Sequence, residues 1–593
     1  MNSKIYMAAL VVLSLLAAAC NSDYLDKMPE AEGYDFDKVF KDSTNYFNYC
    51  NYMVVNPFVL HLQNGTVPHG SWDDISDNAI STATWGEIPS VQAAQGAFYN
   101  MRTNGNAAHC ANATWERIWK IIRIANTGIR NISYYTGSEF TKNRILGMCY
   151  FYRGFLYMEL TRRWGGMPYL LAPLDASANF DLPRLSMQET YQMAALDCDS
   201  AAMYLRNVIP VTEFQYPTRV GALAVKSRIL LYAASDQART ETGSSGENLW
   251  EQAALAADEA LKAAEDNGYS LVPWGAAING DNGYYCLFKD NENEYENYMK
   301  EVLHGRRASI AWGSDAYRQT IRPPGNLQGL YASAPNQLFV DCFEMQATGL
   351  PIGDSDAGYK NQDPYAGRDP RFYFNVMYNG AVIMNRTMLI WQEEEGRGIT
   401  GSTDCRIATP PYPDMGYTQT GYYARKWLGL SFDATLRQTW SYIRLAEVYL
   451  NFAEAANEAW STPDGKDSRC RYSAAEAVNM VRTRAQMPGL HSKFMNQNGF
   501  RERVRNERRV ELCFEEHRLF DLRRWLIGTQ PENRDIWRMK ITRLSASSAT
   551  YPTGFRYEKE LFRQRVYENR HNLFVIKLDD TRIGPNFKQN PGW

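Results

Sequence analysis

Between Tyr442 and Glu458 the chain carries three stripes at helical spacing, and this pattern narrows its possible folds more than any other feature. Tyr442, Leu445, Tyr449, Phe452 and Ala456 make one apolar stripe; Ile443, Ala446, Leu450 and Ala453 make a second. Arg444, Glu447, Asn451, Glu454 and Glu458 make a polar third. Spacings of three and four residues predict a helix over Trp440–Trp460. Two apolar stripes on one helix require neighbours on two sides, as in stacked helical hairpins. No clean tetratricopeptide consensus of about 34 residues recurs, so any repeats are degenerate.

Other segments repeat the theme. Ile118, Ile121, Ile122, Ala125 and Ile129 mark one helix. Ile145, Cys149, Tyr152, Leu156 and Leu160 mark another over about Thr141–Arg163, which stops at Gly165-Gly166 with Pro168 close behind. An Ala- and Leu-rich helix is expected over Arg219–Ala234. Ser186 with Glu189, and Ser473 with Glu476, read as capping boxes, in which each side chain bonds the other residue's backbone N–H. Asn248 with Glu251 resembles them, so helices should start near 187, 249 and 474. Residues 21 to about 110 are polar, Asn-rich and irregular, and 268–438 turn to Gly, Pro, Asn, Asp and aromatics. That is loop chemistry, and a loop-rich insert on a rigid scaffold is where binding usually resides.

The first residues describe an exported protein. One Lys at position 4 precedes an apolar run, Met7–Leu16, then Ala17, Ala18, Ala19 and Cys20. This is the layout of a secretory signal peptide, 1–19, and its apolar run falls short of the roughly 20 residues a bilayer span needs. Cys20 after the small residues reads as a lipobox cysteine, the lipidated first residue of the mature chain, although Ala17 stands where Leu is usual. Several acyl chains on one residue would anchor it stably.

Composition excludes more than it selects. Formal net charge is −3, which offers nucleic acid no basic field. The ten cysteines contain no C-x-x-C pair, and the nine beyond Cys20 read best as buried thiols, with a disulfide left open. The seven histidines are scattered, and His61, His69 and His109 share only a loop-rich region. Asp354-Ser355-Asp356-Ala357-Gly358 lacks the closing Glu of a calcium loop and reads as a turn. No H-E-x-x-H, G-x-S-x-G or phosphate-binding glycine loop occurs, so no catalytic residue, metal or cofactor is signalled. The charge run Arg505–Arg524 reads as scaffold pairing, Arg508 with Glu511, Glu515 with Arg518 and Asp521 near Arg524. Arg153 reads as a partner for a buried carboxylate.

Several segments, in order, match one family. Asp23-Tyr24-Leu25-Asp26 follows the lipobox cysteine, and Trp115–Asn131 has a W-x3-W pattern with an Ala125-Asn126 pair. CYFYRGFLYMELTRRWGGMP spans Cys149–Pro168, and Pro217–Ser235 carries a further helix motif. Gly367-Arg368-Asp369-Pro370-Arg371, Thr420–Lys426, Ile443–Glu458 and ERRVELCFEEHRLFDLRRW over Glu507–Trp525 complete the series, with Gln589–Trp593 at the end. Together they resemble the SusD/RagB family of outer-membrane nutrient-binding lipoproteins across nearly the whole mature chain. One departure is Glu516, where the family usually has Gly, so the local turn is expected to differ.

The resemblance implies a mainly α fold, a tetratricopeptide-like scaffold of four units with a large irregular insert. It implies one SusD-like domain over 20–593, with scaffold at about 111–267 and 439–530, a ligand-binding region at about 268–438 and an irregular segment at 20–110. It implies a lipid-anchored protein on the cell surface at the outer membrane that captures glycan and hands it to a SusC-like TonB-dependent transporter. The same scaffold capturing peptides, or a surface hydrolase, stays open. Sugar rings stack on Trp and Tyr while their hydroxyls need amides or carboxylates, and 38 Tyr and 15 Trp supply the first need. The candidate ligand residues are therefore Trp72 with Asp73, Asp77 and Asn78, then Trp85, Trp274, Tyr284, Trp312 and Tyr317, forming a shallow aromatic platform.

Overall fold

The apolar stripes are buried against one another in a single column of helices. The computed structural model describes residues 36–55, 72–82, 93–97, 102–103, 106–175, 177–210, 213–243, 247–275, 282–288, 300–307, 332–393, 404–405, 416–428, 439–582 and 584–593. Cys20, Trp85, Trp312 and Tyr317 lie outside them. Helix α1 (Ser43–Val55) rests on α2 (Cys110–Arg130) and α3 (Glu139–Trp164). From there α3 packs on α4 (Met187–Tyr204), α4 on α5 (Arg219–Ala234), and α5 on α6 (Glu247–Asp266). The next neighbour of α6 is α7 (Leu445–Trp460), nearly two hundred residues on. Helices α8 (Ala474–Arg484) and α9 (Gln497–Glu511) then cover α7. The column is thus continuous in space where the sequence interrupts it.

Local chemistry explains most helix starts. Both capping boxes form: Ser186 accepts from the Glu189 amide while Glu189 accepts from Ser186, and Ser473 and Glu476 do the same. Thr218 caps α5 and Ser138 caps α3. At α6 the expectation shifts, since the helix already includes Glu247 and Asn248 is helical instead of capping.

The largest correction concerns Trp440–Arg444. Residues Thr439–Arg444 form a strand, β2, paired antiparallel with β1 (Val302–Arg307), and the helix begins only at Leu445. Trp440, Tyr442 and Ile443 are buried there all the same. Aromatic and β-branched residues suit a half-buried strand, and over so few residues helical spacing does not separate the two outcomes. An antiparallel ribbon, β3 (Ile536–Arg543) with β4 (Phe555–Arg563), follows α9 and lies beside the 337–362 segment, and Gln392–Glu393 adds a short parallel strand to β3. One apolar cluster extends from Phe40 to Phe587, with three small satellites.

Glu516 takes a left-handed backbone conformation itself. Its φ is +66°, and Phe514 nearby has φ +57°. A left-handed backbone at a residue with a side chain carries a strain of about 1–3 kcal/mol.

Candidate functional site

The N-terminal candidates fall inside the molecule. Trp72 is 2% exposed, with its ring 5.8 Å from Phe574 and 6.3 Å from Phe520. Asp77 is clamped by Arg518 at 2.7 Å and Arg509 at 2.8 Å. Burial opposes ionisation of Asp77, but the two guanidinium groups outweigh it and hold the carboxyl below its ordinary range. Asn78 donates to Asp73 at 2.8 Å and accepts from Arg509 Nε at 2.8 Å. Burial pushes the Asp73 carboxyl up to about 6, only partly offset by that bond from Asn78. Arg565 donates to the backbone carbonyls of Asp74, Ser76 and Ala79. Trp72, Asp73, Asp77 and Asn78 therefore fasten the 72–82 segment to residues more than 400 positions away and present no stacking face. No local pattern in the sequence announces such partners.

Among the insert candidates, Tyr284 is fully buried and shares hydrogen bonds with Asn375. Trp274 is half-buried and stacks on Tyr284 at 5.7 Å with planes 22° apart. Of the described candidates it alone keeps part of its ring toward solvent.

A concave site lies elsewhere, and the residues that build it were not singled out from the sequence. It is a groove of about 680 Å3 between the 337–362 segment, one face of α9 and the β3–β4 ribbon. That volume lies in the range of small-molecule sites, roughly 300–1,000 Å3. Leu338, Ile352 and Met539 supply apolar surface. Tyr359, half-buried, and Tyr557, largely buried, supply rings. Arg503 and Asn506 reach it together because residues three apart share a helix face. Tyr557 and Lys559 do so because residues two apart share a strand face.

Each wall is held by directed bonds. Gln362 donates to and accepts from the Tyr557 backbone, both at 3.0 Å, which pins the loop to β4. Asn506 spends its amide on the Cys342 carbonyl at 3.0 Å. Arg503 pairs with Glu344 at 3.0 Å, and Lys559 pairs across the groove with Asp341 at 2.6 Å. Asp341 also accepts from Gln337 at 2.6 Å. Burial pushes the Tyr359 phenol up to about 12, so it stays a neutral donor and acceptor. Asn361 is exposed at the rim. Rings, an apolar floor and mixed polar groups suit a polyhydroxylated ligand. Among the described residues Asp341 is the one carboxylate lining the groove, so no acid–base pair of the glycosidase kind is seen there. Among the described residues no cluster of three or more His, Cys, Asp or Glu could hold a metal.

The comparisons with known proteins agree with this architecture. Residues 290–593 match the model of the SusD family, and residues 60–231 match a model described as starch-binding associating with outer membrane. The chain belongs to the SusD family. It is similar to SusD-like protein P2 of Formosa agariphila, 23% identical over 451 residues, covering 73% of this chain and 75% of the relative. SusD-like protein P25 of the same organism is 23% identical over 432 residues, covering 70% of this chain and 69% of the relative. Among solved structures, a SusD-like protein from Bacteroides fragilis aligns with TM-score 0.69 at 24% identity, over 96% of this chain and all of that one. A SusD-like carbohydrate binding protein from the same species aligns with TM-score 0.68 at 19% identity, over 93% and 100%. The mainly helical SusD-like fold expected from the sequence is the fold observed.

Proposed function

We propose that this protein is a cell-surface, lipid-anchored binding subunit that captures oligosaccharide and passes it to a SusC-like TonB-dependent transporter. The observation that carries the reading is the groove: a ring- and amide-lined cavity in a SusD-family chain, with a single carboxylate among its described lining residues. The family description that associates such chains with starch and the outer membrane supports it, as do Cys20 and the leader before it. Moderate affinity suits a handover role, on the order of micromolar to millimolar, or about −8 to −4 kcal/mol.

Titration calorimetry of the mature chain against a panel of oligosaccharides tests the reading. Binding without bond cleavage, weakened roughly tenfold or more by Tyr359→Ala at unchanged fold, is the expected outcome. Binding of peptides and not sugars would move the assignment to the peptide-capturing alternative. Release of shorter products would replace it with a hydrolase.

A further inference from the structure

Cys50 on α1 and Cys149 on α3 sit with their sulfurs 3.9 Å apart, 99 residues apart in sequence. Both side chains are fully buried. Their closeness is built by a third helix. A Cβ added at Gly128 of α2 would lie 2.7 Å from the Cys149 sulfur and 2.9 Å from the Cys50 sulfur. Only a residue without a side chain lets the two sulfurs share that space. One turn before Cys50, the Tyr46 hydroxyl donates to the Gly128 carbonyl at 2.5 Å, which fixes the register of α1 on α2. Cys50 is therefore held facing Cys149 by contacts that do not involve either sulfur.

We propose that Cys50 and Cys149 form a disulfide that staples α1 to α3 when the chain folds in contact with a disulfide donor. A disulfide needs its sulfurs about 2.05 Å apart. The remaining approach of about 2 Å is within reach of side-chain rotation with a small slide of α1. The oxidant is an external disulfide, either glutathione disulfide or a dithiol oxidoreductase in its oxidised form. One chain thiolate attacks it, giving a mixed disulfide and releasing one donor thiol. The second chain thiolate then attacks the chain sulfur of that mixed disulfide and releases the other. Two chain thiols lose two protons and two electrons, and the donor disulfide becomes two thiols. The neighbouring Cys149 sulfur and burial raise the Cys50 thiol well above its ordinary range in the folded state. The thiolate needed for attack is thus scarce once α1 has docked, which places the reaction before docking is complete.

The test uses the full mature chain, denatured in reductant and refolded in a glutathione redox buffer. Remaining thiols are then alkylated in denaturant, and the chain is digested without reductant for mass spectrometry. The expected product is a peptide pair joining Cys50 to Cys149, lighter by two hydrogen atoms than its parts. Cys149→Ala should lose the pair and leave Cys50 open to alkylation. Because a long loop is closed, the oxidised chain should melt a few degrees above the reduced chain, with no such gap in Cys149→Ala. If refolding yields too little protein, reduced native chain warmed with glutathione disulfide to just below its melting midpoint gives the same readout. Full alkylation of both cysteines, or Cys50 joined to a different cysteine, would overturn the proposal.

Discussion

Leu450 belongs to an apolar stripe: Ala446, Ala453 and Val448 on α7, with Leu231 and Val225 on α5, are all fully buried, and charge enters this interface mainly as the Arg228–Glu447 pair. Around Glu511, at the end of α9, the interior is just as dry but consists of charge. Arg371, Lys426, Arg444, Arg482, Arg484 and Arg503 there face Glu301, Glu344, Asp369, Glu507, Glu511 and Glu515. The first region joins helix to helix within the column. The second joins the inserted segments to the column, with Arg371 and Lys426 from the insert and Arg444 at the strand–helix junction. Apolar packing tolerates sliding of one helix over another, whereas this net fixes each partner by directed bonds. Its outermost member, Arg503, is also a wall of the groove. The charged region thus sets the position of the groove, and the apolar region supplies the frame that carries it.

The sharpest way to break the comparison is Glu511→Ala. Glu511 meets Arg371 at 2.9 Å and Arg444 at 2.8 Å, and pairs with Arg484 as well. Burial opposes its charge, but Arg484, Arg444 and Arg371 hold its carboxyl well below the ordinary range. Its loss leaves three buried guanidinium groups short of a partner, and breaking one buried pair already costs about 3–5 kcal/mol. Denaturant unfolding should show a loss at or above that range. Leu450→Ala, in the apolar region, should cost about 2–5 kcal/mol. If Glu511→Ala proves the milder of the two, the net is not what secures the insert.

Trp72→Ala comes next and sharpens the same contrast. A loop Trp on a ligand platform would lose binding and keep its melting temperature. Packed against Phe520 and Phe574, Trp72 should instead cost about 3–5 kcal/mol of stability. An unchanged melting curve would return it to the list of ligand residues.

These results bear on what the sequence could disclose. Period and capping are local, so the stripes of α7, the boxes at Ser186 and Ser473, and the Arg153 partner (Asp197, at 2.6 Å) were legible in kind. The charged net was not. The run Arg505–Arg524 suggested pairs within itself, and one of them, Asp521 with Arg524 at 2.8 Å, exists. Arg508, however, reaches Asp521 at 2.8 Å and not Glu511, and Arg518 reaches Asp77 and not Glu515. A charge takes the partner that tertiary folding brings to it, and spacing along the chain does not encode that choice. The groove was illegible for the same reason. Its lining comes from six short stretches between Gln337 and Lys559, none of which carries a motif.

Acid should separate the two regions more gently. Burial raises the Glu454 carboxyl, but Arg524 at 2.6 Å outweighs it and pushes the group down to about 2. An unfolded Glu titrates near 4.3. A carboxylate depressed on folding contributes stability that is fully present above the unfolded value and is lost as pH falls through the folded value. Stability should therefore drop between about pH 4.5 and 2. Glu454→Gln should be less stable at pH 7 yet flatten that slope by about one proton's worth, roughly 1.4 kcal/mol per pH unit. Parallel slopes for the two proteins would show that Glu454 is not among the groups that acid releases.

The smallest expected effect lies at the groove, where Lys559→Met should leave the fold almost untouched. Lys559 is 41% exposed in its side chain, and a pair so placed contributes about 0.2–1 kcal/mol to stability. The consequence for binding depends on the ligand's charge. Arg503, Lys559 and Asp341 give the lining a net charge of +1, since two cations face one carboxylate. Without Lys559 that sum is zero, and Asp341 keeps only its bond from Gln337 among its two groove partners. A neutral oligosaccharide asks only for donors and acceptors, and the uncovered Asp341 oxygen can take a hydroxyl where the ammonium stood, so affinity should hold within a few-fold. A sugar bearing carboxylate or sulfate meets an unshielded like charge instead and should weaken by roughly tenfold, about 1.4 kcal/mol, with the difference shrinking as salt is added. Calorimetry with one neutral and one acidic oligosaccharide at two ionic strengths reads this directly. Equal losses for both ligands, insensitive to salt, would mean that Lys559 acts through its aliphatic stem against the groove floor, and that the charge of the lining does not select the cargo.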